Sequence, residues 1–380
     1  MKHQIFEEGY HAIQDILEKE RVQKIFVACG NRIDIKFVNY LNSLNVKYIL
    51  FDEITPNPVY EDIVKGLRLF KEHDCDFIIS IGGGSVIDAA KTIKLFSEMN
   101  EDEFFLDQEF IETKVKHLTI PTTAGTGSES TRFSVIYYND EKQSLAHEDI
   151  IPEYVIFESV VLKTLPEYQK KATMLDALCQ AIESYWSVNS NEESKEYAKK
   201  ALELILENMQ GYLQNKEEAF RDMLIASNFS GRAINITQTT APHAMSYKLT
   251  TLYGVSHGHS VALCLPHVWR YMAEMLENEQ GASKIIDPRG AKYLKDTLLE
   301  LSNIFGCDSN EEAIQRFEAF YKSLCLSNPY INEKAELEIL AKSVNPIRLK
   351  NSPIYLDQET IEILYKEILE KKLEIGSMFR

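Results

Sequence analysis

The sequence predicts an α/β half followed by an all-helical half in a chain of 380 residues. Three observations predict this fold class. Short apolar runs rich in β-branched residues alternate with segments of helical period through the first half, which is typical of a doubly wound parallel sheet. Two of these runs end in loops of glycine and hydroxyl residues. In the second half, long amphipathic segments take the place of the short apolar runs.

The first three predicted strands are short apolar runs, each followed by a turn residue or a glycine loop. They cover Lys24–Cys29, Val46–Phe51 and Asp76–Ile81. The segments between them carry apolar residues at helical spacing, through Leu41 in the first and from Ile63 to Phe70 in the second. This order of strand, helix, strand, helix, strand indicates parallel strands joined by helical crossovers.

The third strand runs into the glycine loop Gly82-Gly83-Gly84-Ser85 and then into a helical segment that contains Asp88. Glycines at such a junction let the backbone approach a phosphate, and a helix N-terminus offers free N–H groups. A plain glycine turn explains this one loop equally well. A further strand, Leu118–Pro121, ends in Thr122-Thr123-Ala124-Gly125-Thr126-Gly127, whose hydroxyls can bond phosphate and ribose. Two such loops at the carboxyl ends of strands predict a dinucleotide site.

The second half contains five long amphipathic segments and no strong strand alternation. The predicted helices are Ser194–Leu213, Glu217–Ser230, Lys292–Phe305, Glu311–Leu326 and Gln358–Leu373. We place the border near residues 158–165, which divides the chain into a dinucleotide-binding α/β domain of residues 1–163 and an all-helical domain of residues 164–380.

The chain is acidic, with 41 Lys and Arg against 58 Asp and Glu and a formal net charge of −17. This charge argues against nucleic acid or an anionic membrane as the main partner, although a local basic pocket can still bind a small anion. Six cysteines are scattered without paired spacing, which favours reduced thiols and a cytoplasmic protein. The first residues do not form a signal peptide, and no apolar stretch approaches the roughly 20 residues that span a bilayer. We therefore expect a soluble protein.

Asp176 and Gln180 lie one helical turn apart, so both side chains can face the same ion. With His243 and His257 from further along the chain they form a candidate metal site. Aspartate and histidine suit zinc or ferrous iron, whereas the amide of Gln180 is a weaker, neutral oxygen ligand. Two outcomes stay open: Gln180 completes or orients a site that retains a divalent metal, or the protein is metal-free. The alternative for each histidine is a buried side chain with its own hydrogen-bond partners.

These motifs occur in this order along nearly the whole chain and resemble those of the iron-containing, or group III, alcohol dehydrogenases. The segments that carry the resemblance are Gly82–Lys91, Pro121–Glu129, Asp176–Leu178, His243–Leu249 and His257–Gly258. The resemblance implies a dehydroquinate synthase-like architecture, in which a dinucleotide-binding domain and an all-helical metal- and substrate-binding domain bring cofactor and metal together in a cleft. It also implies a homodimer or a larger assembly.

The resemblance implies roles for individual residues. The implied cofactor contacts are Gly83, Gly84, Ser85, Asp88, Thr122, Thr123, Thr126 and Lys142. The implied metal ligands are Asp176, His243 and His257. Histidines usually stand in this family where the chain has Gln180 and Tyr247. We expect Gln180 to complete or orient the site through its amide, and Tyr247 to donate or relay a proton through its hydroxyl unless it only packs.

The end of the first strand bears on the choice of nicotinamide cofactor. A carboxylate there would accept the adenosine ribose hydroxyls and repel a 2′-phosphate, but the chain has Gly30-Asn31-Arg32. Gly30 leaves room, Asn31 can donate a hydrogen bond and Arg32 supplies positive charge. We therefore expect NADPH ahead of NADH.

The resemblance further implies reduction of an aldehyde, in which the metal polarises the carbonyl oxygen and hydride passes from the nicotinamide to the carbonyl carbon. Four basic residues lie close in sequence to the cofactor and metal segments: Arg132, His147, Lys248 and His259. Together they predict a cationic pocket for a phosphonate, phosphate or carboxylate. The alternative for each of them is surface charge or a local salt bridge.

Within the family, four segments are similar to the phosphonoacetaldehyde reductase branch, which shares the glutamine at position 180. They are Thr131–Val135, Ser144–His147, Asp176–Ser184 and Ser246–Thr250. This similarity implies reduction of phosphonoacetaldehyde to 2-hydroxyethylphosphonate in phosphonate biosynthesis. Three alternatives are open at this point: a general short-chain alcohol dehydrogenase, a non-redox NAD-binding lyase-like relative, and a catalytically idle binding protein.

Overall fold

A computed structural model describes residues 4–6, 9–31, 33–139, 141–278, 281–331, 333 and 335–370. The chain divides into two compact units. The first holds the residues up to Lys170 together with Glu207–Asn235, and the second holds Lys171–Leu206 and the residues from Ile236 onward. The domain border after residue 163 stays a prediction, because compactness alone does not define an independently folding domain.

The first unit contains a six-stranded, fully parallel sheet and a separate hairpin. The strands of the sheet are β1 (Gln4–Phe6), β2 (Lys24–Cys29), β3 (Lys47–Phe51), β4 (Phe77–Gly82), β5 (Lys116–Pro121) and β8 (Tyr154–Ile156), in the order β1-β8-β5-β4-β2-β3. The hairpin pairs β6 (Phe133–Tyr138) with β7 (Glu141–Ala146) in antiparallel register. The four strands predicted from the sequence lie within two residues of β2, β3, β4 and β5.

Four helices of the first unit cover both faces of the sheet: α1 (Ala12–Glu20), α2 (Ile35–Ser43), α3 (Tyr60–Glu72) and α4 (Gly84–Phe96). The alternating side chains of β2 show how. Ile25, Val27 and Cys29 pack with α1 and α2 in one core, whereas Phe26 and Ala28 pack with α3 and α4 in the other. A strand buried on both faces has a continuous apolar sequence, which made this region predictable. The predicted doubly wound α/β fold is confirmed.

Ten α-helices begin after β8 in the described part of the chain. They are α5 (Glu167–Trp186), α6 (Glu192–Leu213), α7 (Glu217–Thr237), α8 (Ala241–Tyr253), α9 (His257–Glu277), α10 (Gly290–Ile304), α11 (Asn310–Ser323), α12 (Ala335–Ser343), α13 (Pro346–Leu349) and α14 (Gln358–Leu369). No strand follows β8 among the described residues, so the predicted helical second half is confirmed. The five predicted helices correspond to α6, α7, α10, α11 and α14, and residues 371–373 of the last one lie outside the described residues. None of the described helices is both long and apolar enough to cross a membrane.

Candidate metal centre and cofactor loops

The two glycine-rich loops of the first unit leave neighbouring strands of the sheet. β4 and β5 pair in parallel register, and the N–H of Thr122 donates to the carbonyl of Gly82 at 2.9 Å. Parallel strands present their carboxyl ends at the same edge of a sheet, which is where ligands bind in open α/β sheets. Both predicted loops therefore lie at one edge.

The two loops are in close contact where they meet. A Cβ on Gly84 would lie 2.8 Å from Cγ2 of Thr126, and a Cβ on Gly83 would lie 3.2 Å from Cγ2 of Thr123. The N-terminus of α4 lies at this contact, with Gly83 as its extended N-cap and Ser85 in its first turn. The first N–H groups of a helix have no partner within it and, at the positive end of the dipole, can bind an anion. These five residues of the predicted cofactor site share one edge of the sheet.

We expect Gly84→Ala to weaken NADPH binding by roughly 10-fold, because overpacking of this kind costs about 1–3 kcal/mol and pushes the Thr126 loop away from the start of α4. Titration of cofactor fluorescence measures the dissociation constant. Gly211→Ala in α6, where a Cβ would lie 3.3 Å from Ala219 Cβ, is the matched control. Equal cofactor affinity in both variants would show that contact between the loops does not set the cofactor site.

Asp88 and Lys91 support the second loop from helix α4. Asp88 accepts hydrogen bonds from Ser128 Oγ at 2.5 Å and from the Val135 N–H at 3.0 Å. Burial raises the pKa of Asp88, while the charges of Lys91 and of Lys142 on β7 oppose that shift. Lys91 is fully buried and donates to the Ser128 carbonyl at 2.9 Å, and burial lowers its pKa to about 8. Asp88 thus holds the loop, and the cofactor contacts of Asp88 and Lys142 stay predictions.

A glycine pair anchors the second loop on helix α7, within the first unit. Gly127 has a φ of +58°, and a Cβ there would lie 2.5 Å from the carbonyl oxygen of Ser227. A Cβ on Gly231 would lie 2.4 Å from the carbonyl oxygen of Gly127. From the same loop, Ser130 Oγ donates to the Asn228 carbonyl at 3.0 Å. The loop is therefore in direct backbone contact with α7, a contact that sequence periodicity does not indicate.

The residues after β2, which bear on the choice of cofactor, are described in part. Gly30 is half-buried, and a Cβ there would lie 3.9 Å from Cγ2 of Val86, which is ordinary van der Waals contact. Asn31 is exposed, and Arg32 lies outside the described residues. The preference for NADPH therefore stays a prediction.

Three helices of the second unit bring Asp176, His243 and His257 together in what we call the triad. α5 supplies Asp176, α8 supplies His243 in its first turn, and α9 begins at His257. Their candidate ligand atoms all lie within 4.8 Å of one another. Asp176 Oδ1 lies 3.4 Å from His243 Nε2 and 3.9 Å from His257 Nε2. One carboxylate oxygen and two imidazole nitrogens form a donor set that suits zinc or ferrous iron.

The buried atoms of the triad fit a cation. Asp176 Oδ1 and His243 Nε2 have no hydrogen-bond partner among the described residues. Unpaired buried polar atoms are costly, and an ion would satisfy both. Burial alone would lower the pKa of His243, but the carboxylates of Glu183 and Asp176 raise it to about 10, which indicates a negative potential that favours a cation. The side chain of His257 is 36% exposed against 3% for His243, so the triad is open on the side of His257.

Glu183 holds His243 at its other ring nitrogen. Glu183 Oε1 lies 2.5 Å from His243 Nδ1, and Oε2 accepts from the Thr240 N–H at 2.6 Å and from the Thr240 hydroxyl at 2.7 Å. A carboxylate on Nδ1 fixes the imidazole with Nε2 directed at the triad. Sequence reasoning missed this role, although Glu183 lies seven residues after Asp176 and therefore on the same face of α5.

Gly258 lets helix α9 begin directly against helix α5. A Cβ on Gly258 would lie 2.1 Å from the Ala172 carbonyl oxygen and 2.7 Å from Asp176 Cβ. No other residue type fits such an approach without moving one of the helices. The dipeptide His257-Gly258 thus joins a candidate ligand to the residue that allows its position.

Tyr247 lies between the triad and Arg348, a residue that no sequence motif indicates. The ring of Tyr247 is stacked on that of His257, with 4° between the planes and 5.5 Å between the centroids. Nη1 of Arg348 donates to the Tyr247 hydroxyl at 3.2 Å. Tyr247 therefore packs against a candidate ligand and carries its hydroxyl beside a cation, and its role in proton transfer stays a prediction.

Two family profiles together match nearly the whole chain. The profile of the iron-containing alcohol dehydrogenases matches residues 2–159, and the profile of the C-terminal part of the Fe-containing alcohol dehydrogenase family matches residues 170–369. The chain belongs to the iron-containing alcohol dehydrogenase family. The family resemblance predicted from the sequence motifs is confirmed.

Three curated members of this oxidoreductase family illustrate its range. Aldehyde-alcohol dehydrogenase 2 of Entamoeba histolytica is 32% identical over 82% of this chain, which spans only 38% of that longer protein. The NADPH-dependent butanol dehydrogenase of Clostridium saccharobutylicum is 32% identical, and the match covers 70% of this chain and 71% of that protein. Phosphonoacetaldehyde reductase of Streptomyces viridochromogenes is 27% identical, and the match covers 90% of this chain and 87% of that protein.

The fold of this chain also matches that of a solved structure from the family. The crystal structure of an iron-containing alcohol dehydrogenase has a TM-score of 0.80 and 26% sequence identity to this chain. The match covers 97% of this chain and 98% of that one. The predicted fold class is thereby confirmed along nearly the whole length.

Gln180, where the family usually has histidine, contacts the triad through Asp176. Gln180 is buried one helical turn after Asp176. Burial raises the pKa of Asp176, but the nearby imidazoles of His243 and His257 and the contact with Gln180 lower it overall. This contact fits an orienting role for Gln180, and its coordination of an ion stays a prediction.

We expect Gln180→His to raise the affinity for Zn²⁺ or Fe²⁺ by roughly 10- to 100-fold, because a neutral imidazole is a better donor to these ions than an amide oxygen. Competition with a chromophoric chelator measures the dissociation constant. Gln315→His, on the exposed face of α11, controls for a new surface histidine. If both variants bind the metal as tightly as the parent, position 180 is out of reach of the ion.

Two of the four basic residues predicted for a substrate pocket lie in the first unit and have local acidic or backbone partners. Arg132 Nη1 lies 3.0 Å from Glu148 Oε1. His147 Nδ1 accepts the Asp149 N–H at 3.2 Å. The Arg132 contact matches the local salt bridge given above as the alternative, and the binding role of both residues stays a prediction.

The other two basic residues lie in the second unit, and their substrate-binding role stays a prediction. Lys248 is five residues after His243 on α8 and therefore about 140° round the helix from it. His259 is two residues after His257 and therefore about 200° round α9 from it. His259 is fully buried, its Nε2 lies 2.8 Å from the Tyr321 hydroxyl, and burial lowers its pKa. These positions favour packing for His259 and the helix surface for Lys248.

Proposed function

We propose that this protein reduces small aldehydes to alcohols with a nicotinamide cofactor and a bound divalent metal. The observation that carries the proposal is the buried triad, whose unpaired Asp176 and His243 atoms fit a metal ion and whose open side lies at His257. Membership of the alcohol dehydrogenase family supports the same chemistry and disfavours the lyase-like and idle alternatives.

A bound divalent metal, iron or zinc, would supply Lewis-acid polarisation of the carbonyl oxygen. Asp176 and two imidazoles would hold it, and Glu183 keeps Nε2 of His243 directed at the triad. The glycine loops and the N-terminus of α4 would bind the pyrophosphate of the cofactor. A nicotinamide held there would supply the hydride that the carbonyl carbon accepts, and the carbonyl oxygen would need a proton. We assign that proton to Tyr247, as donor or relay, because its phenol stacks on His257.

The substrate that we propose is phosphonoacetaldehyde, with 2-hydroxyethylphosphonate as product. Support comes from the match of 90% of this chain to a phosphonoacetaldehyde reductase and from the glutamine at position 180. A neutral short-chain aldehyde is the second candidate, because a butanol dehydrogenase is 32% identical over 70% of the chain. The two candidates differ in charge, which makes them separable in one assay.

The remaining parts of the proposal concern cofactor, location and assembly. NADPH is preferred because Gly30 and Asn31 place no carboxylate after β2, and the related butanol dehydrogenase is named as NADPH-dependent. All six cysteines are free and four of them are buried, which fits a reducing cytoplasm. A homodimer or larger assembly is proposed from the family resemblance.

The test combines metal analysis with a substrate comparison. Purified protein is loaded with Fe²⁺ or Zn²⁺ and assayed by the loss of NADPH absorbance with phosphonoacetaldehyde and, separately, with propanal. We expect bound metal in every chain. We also expect kcat/KM to be at least roughly 10-fold higher for phosphonoacetaldehyde than for propanal, since a dedicated charged contact discriminates between substrates more strongly than an additional methylene group does. Equal values for both aldehydes would favour the general alcohol dehydrogenase. No NADPH consumption with any aldehyde by the metal-loaded protein would contradict the reductase.

A further inference from the structure

Arg348 is held beside the triad by a short helix with a defined start. Asn345 caps α13 by accepting the Ile347 N–H on its side chain at 2.9 Å, and Pro346 occupies the first turn. α13 packs against α8, the helix that carries His243 and Tyr247. The guanidinium carbon of Arg348 lies 5.1 Å from the ring centre of Tyr247. The position of the charge is therefore fixed by local structure.

Arg348, Tyr247 and His257 form a row that ends at the open side of the triad. The guanidinium contacts the phenol, and the phenol is stacked on the imidazole with centroids 5.5 Å apart. His257 is the most exposed member of the triad, and Arg348 and Tyr247 are themselves only half-buried. The row therefore lies beside the open side of the triad.

The charge of Arg348 has no carboxylate partner among the described residues. Three other arginines do: Arg132 pairs with Glu148, Arg270 with Glu311 and Glu318, and Arg289 with Asp287. A guanidinium has five N–H donors in a fork that matches the oxygens of a phosphonate or carboxylate, and Tyr247 accepts from only one of them. In a chain with a net charge of −17, a cation that lacks an ion pair beside a candidate metal centre is suited to an anionic ligand.

We propose that Arg348 determines specificity by binding the anionic group of the aldehyde, and that Tyr247 sets the distance between this group and the triad. The inference rests on the reductase activity proposed above. One aromatic ring separates the guanidinium from His257, so the anion and the carbonyl of the substrate must be close in its covalent structure, as in a two-carbon aldehyde. Two N–H donors of the guanidinium bind the anionic group. This geometry favours a phosphonate over an anion that is held by charge at a single point.

The test compares Arg348→Gln and Arg348→Lys with the parent enzyme, each loaded with metal. We expect Arg348→Gln to raise KM for phosphonoacetaldehyde by roughly 10- to 100-fold, the equivalent of losing a charged hydrogen bond, with KM for propanal changed less than about 3-fold. Any effect through the Tyr247 hydroxyl, which Arg348 contacts, would change kcat for both aldehydes alike. Arg348→Lys keeps the positive charge but loses the forked N–H donors of the guanidinium. Its KM for phosphonoacetaldehyde should therefore lie between those of the parent enzyme and of Arg348→Gln. Lys350→Gln, which removes an exposed positive charge at the end of the same helix, is the matched control.

Direct binding separates this inference from the proposed function. Calorimetry with 2-hydroxyethylphosphonate and with 1-propanol, in the presence of NADP⁺, should show weaker binding of the phosphonate alone in Arg348→Gln. If the parent enzyme prefers the anionic aldehyde and Arg348→Gln keeps that preference, the inference about Arg348 is wrong while the function stands. If the parent reduces propanal but shows no preference for the anion, both the substrate and the role of Arg348 are wrong. Turnover of propanal by each variant reports that it is folded.

Discussion

Asp176→Asn is expected to remove the bound metal and to lower kcat/KM for aldehyde reduction on the order of 1,000-fold. The asparagine keeps the size of the side chain and its packing against Gly258, but it removes the negative charge and the anionic oxygen that face both imidazoles. Loss of the polarising ion removes most of the electrostatic stabilisation of the developing alkoxide. Elemental analysis after dialysis measures the metal, and NADPH consumption measures the rate.

Asp296→Asn is the control for this change. Asp296 lies on α10 with its side chain 60% exposed and pairs with Lys292 one turn earlier at 3.7 Å. The control should keep full metal content and activity, because an exposed pair contributes little. Metal retained in Asp176→Asn at the parent level would contradict the triad as the metal centre, whatever the activity.

Glu183→Gln is expected to weaken metal binding by roughly 10- to 100-fold, the usual effect of losing the carboxylate that orients a histidine ligand. A glutamine offers one oxygen and one NH₂ group, whereas the Thr240 N–H and His243 Nδ1 both need an acceptor here. One buried donor is left unpaired, which should also lower the free energy of unfolding by about 1–3 kcal/mol. Chelator competition measures the first effect and urea unfolding the second.

The matched variant for that experiment is Glu203→Gln. Glu203 is about half exposed on α6 and pairs with Lys199 at 3.8 Å, so neither metal affinity nor stability should change measurably. A Glu183→Gln protein that is less stable but binds metal as tightly as the parent would give Glu183 a purely structural role.

The parts of the fold that the sequence could predict are those with a strong local pattern. β2 and β4 are apolar because two cores bury them, and β5 is buried along almost its whole length, so these strands follow from composition alone. β1 and β8 have three residues each, too few for a period to be visible. The hairpin β6–β7 has one mainly polar strand, Glu141–Ala146, which gives no apolar signal. The bounds of the short strands depend on tertiary pairing rather than on local sequence.

In the candidate site too, residues in local sequence motifs could be predicted, whereas residues that only the fold brings there could not. The structure brings Asp176, His243 and His257 together, as the motif spacing and the family resemblance indicate. Glu183 could have been found from its helical spacing to Asp176. Arg348 could not, because it lies 101 residues after Tyr247 in a four-residue helix without a motif of its own. Lys248 was selected by closeness in sequence to a functional segment, and closeness in sequence does not fix which face of a helix a side chain occupies.

The contact of Gly127 with Gly231 and the buried Lys91 affect the thermodynamics of cofactor binding. The second loop is held by backbone contact with α7 and by hydrogen bonds from α4, all of which the protein itself supplies. Fixing the backbone of one residue costs about 1–2 kcal/mol of conformational entropy, and for this loop that cost falls on folding. Little of the cofactor's interaction energy is then spent on ordering the protein. A preorganised loop of this kind allows a nicotinamide cofactor to be exchanged at each turnover without the loop refolding around it.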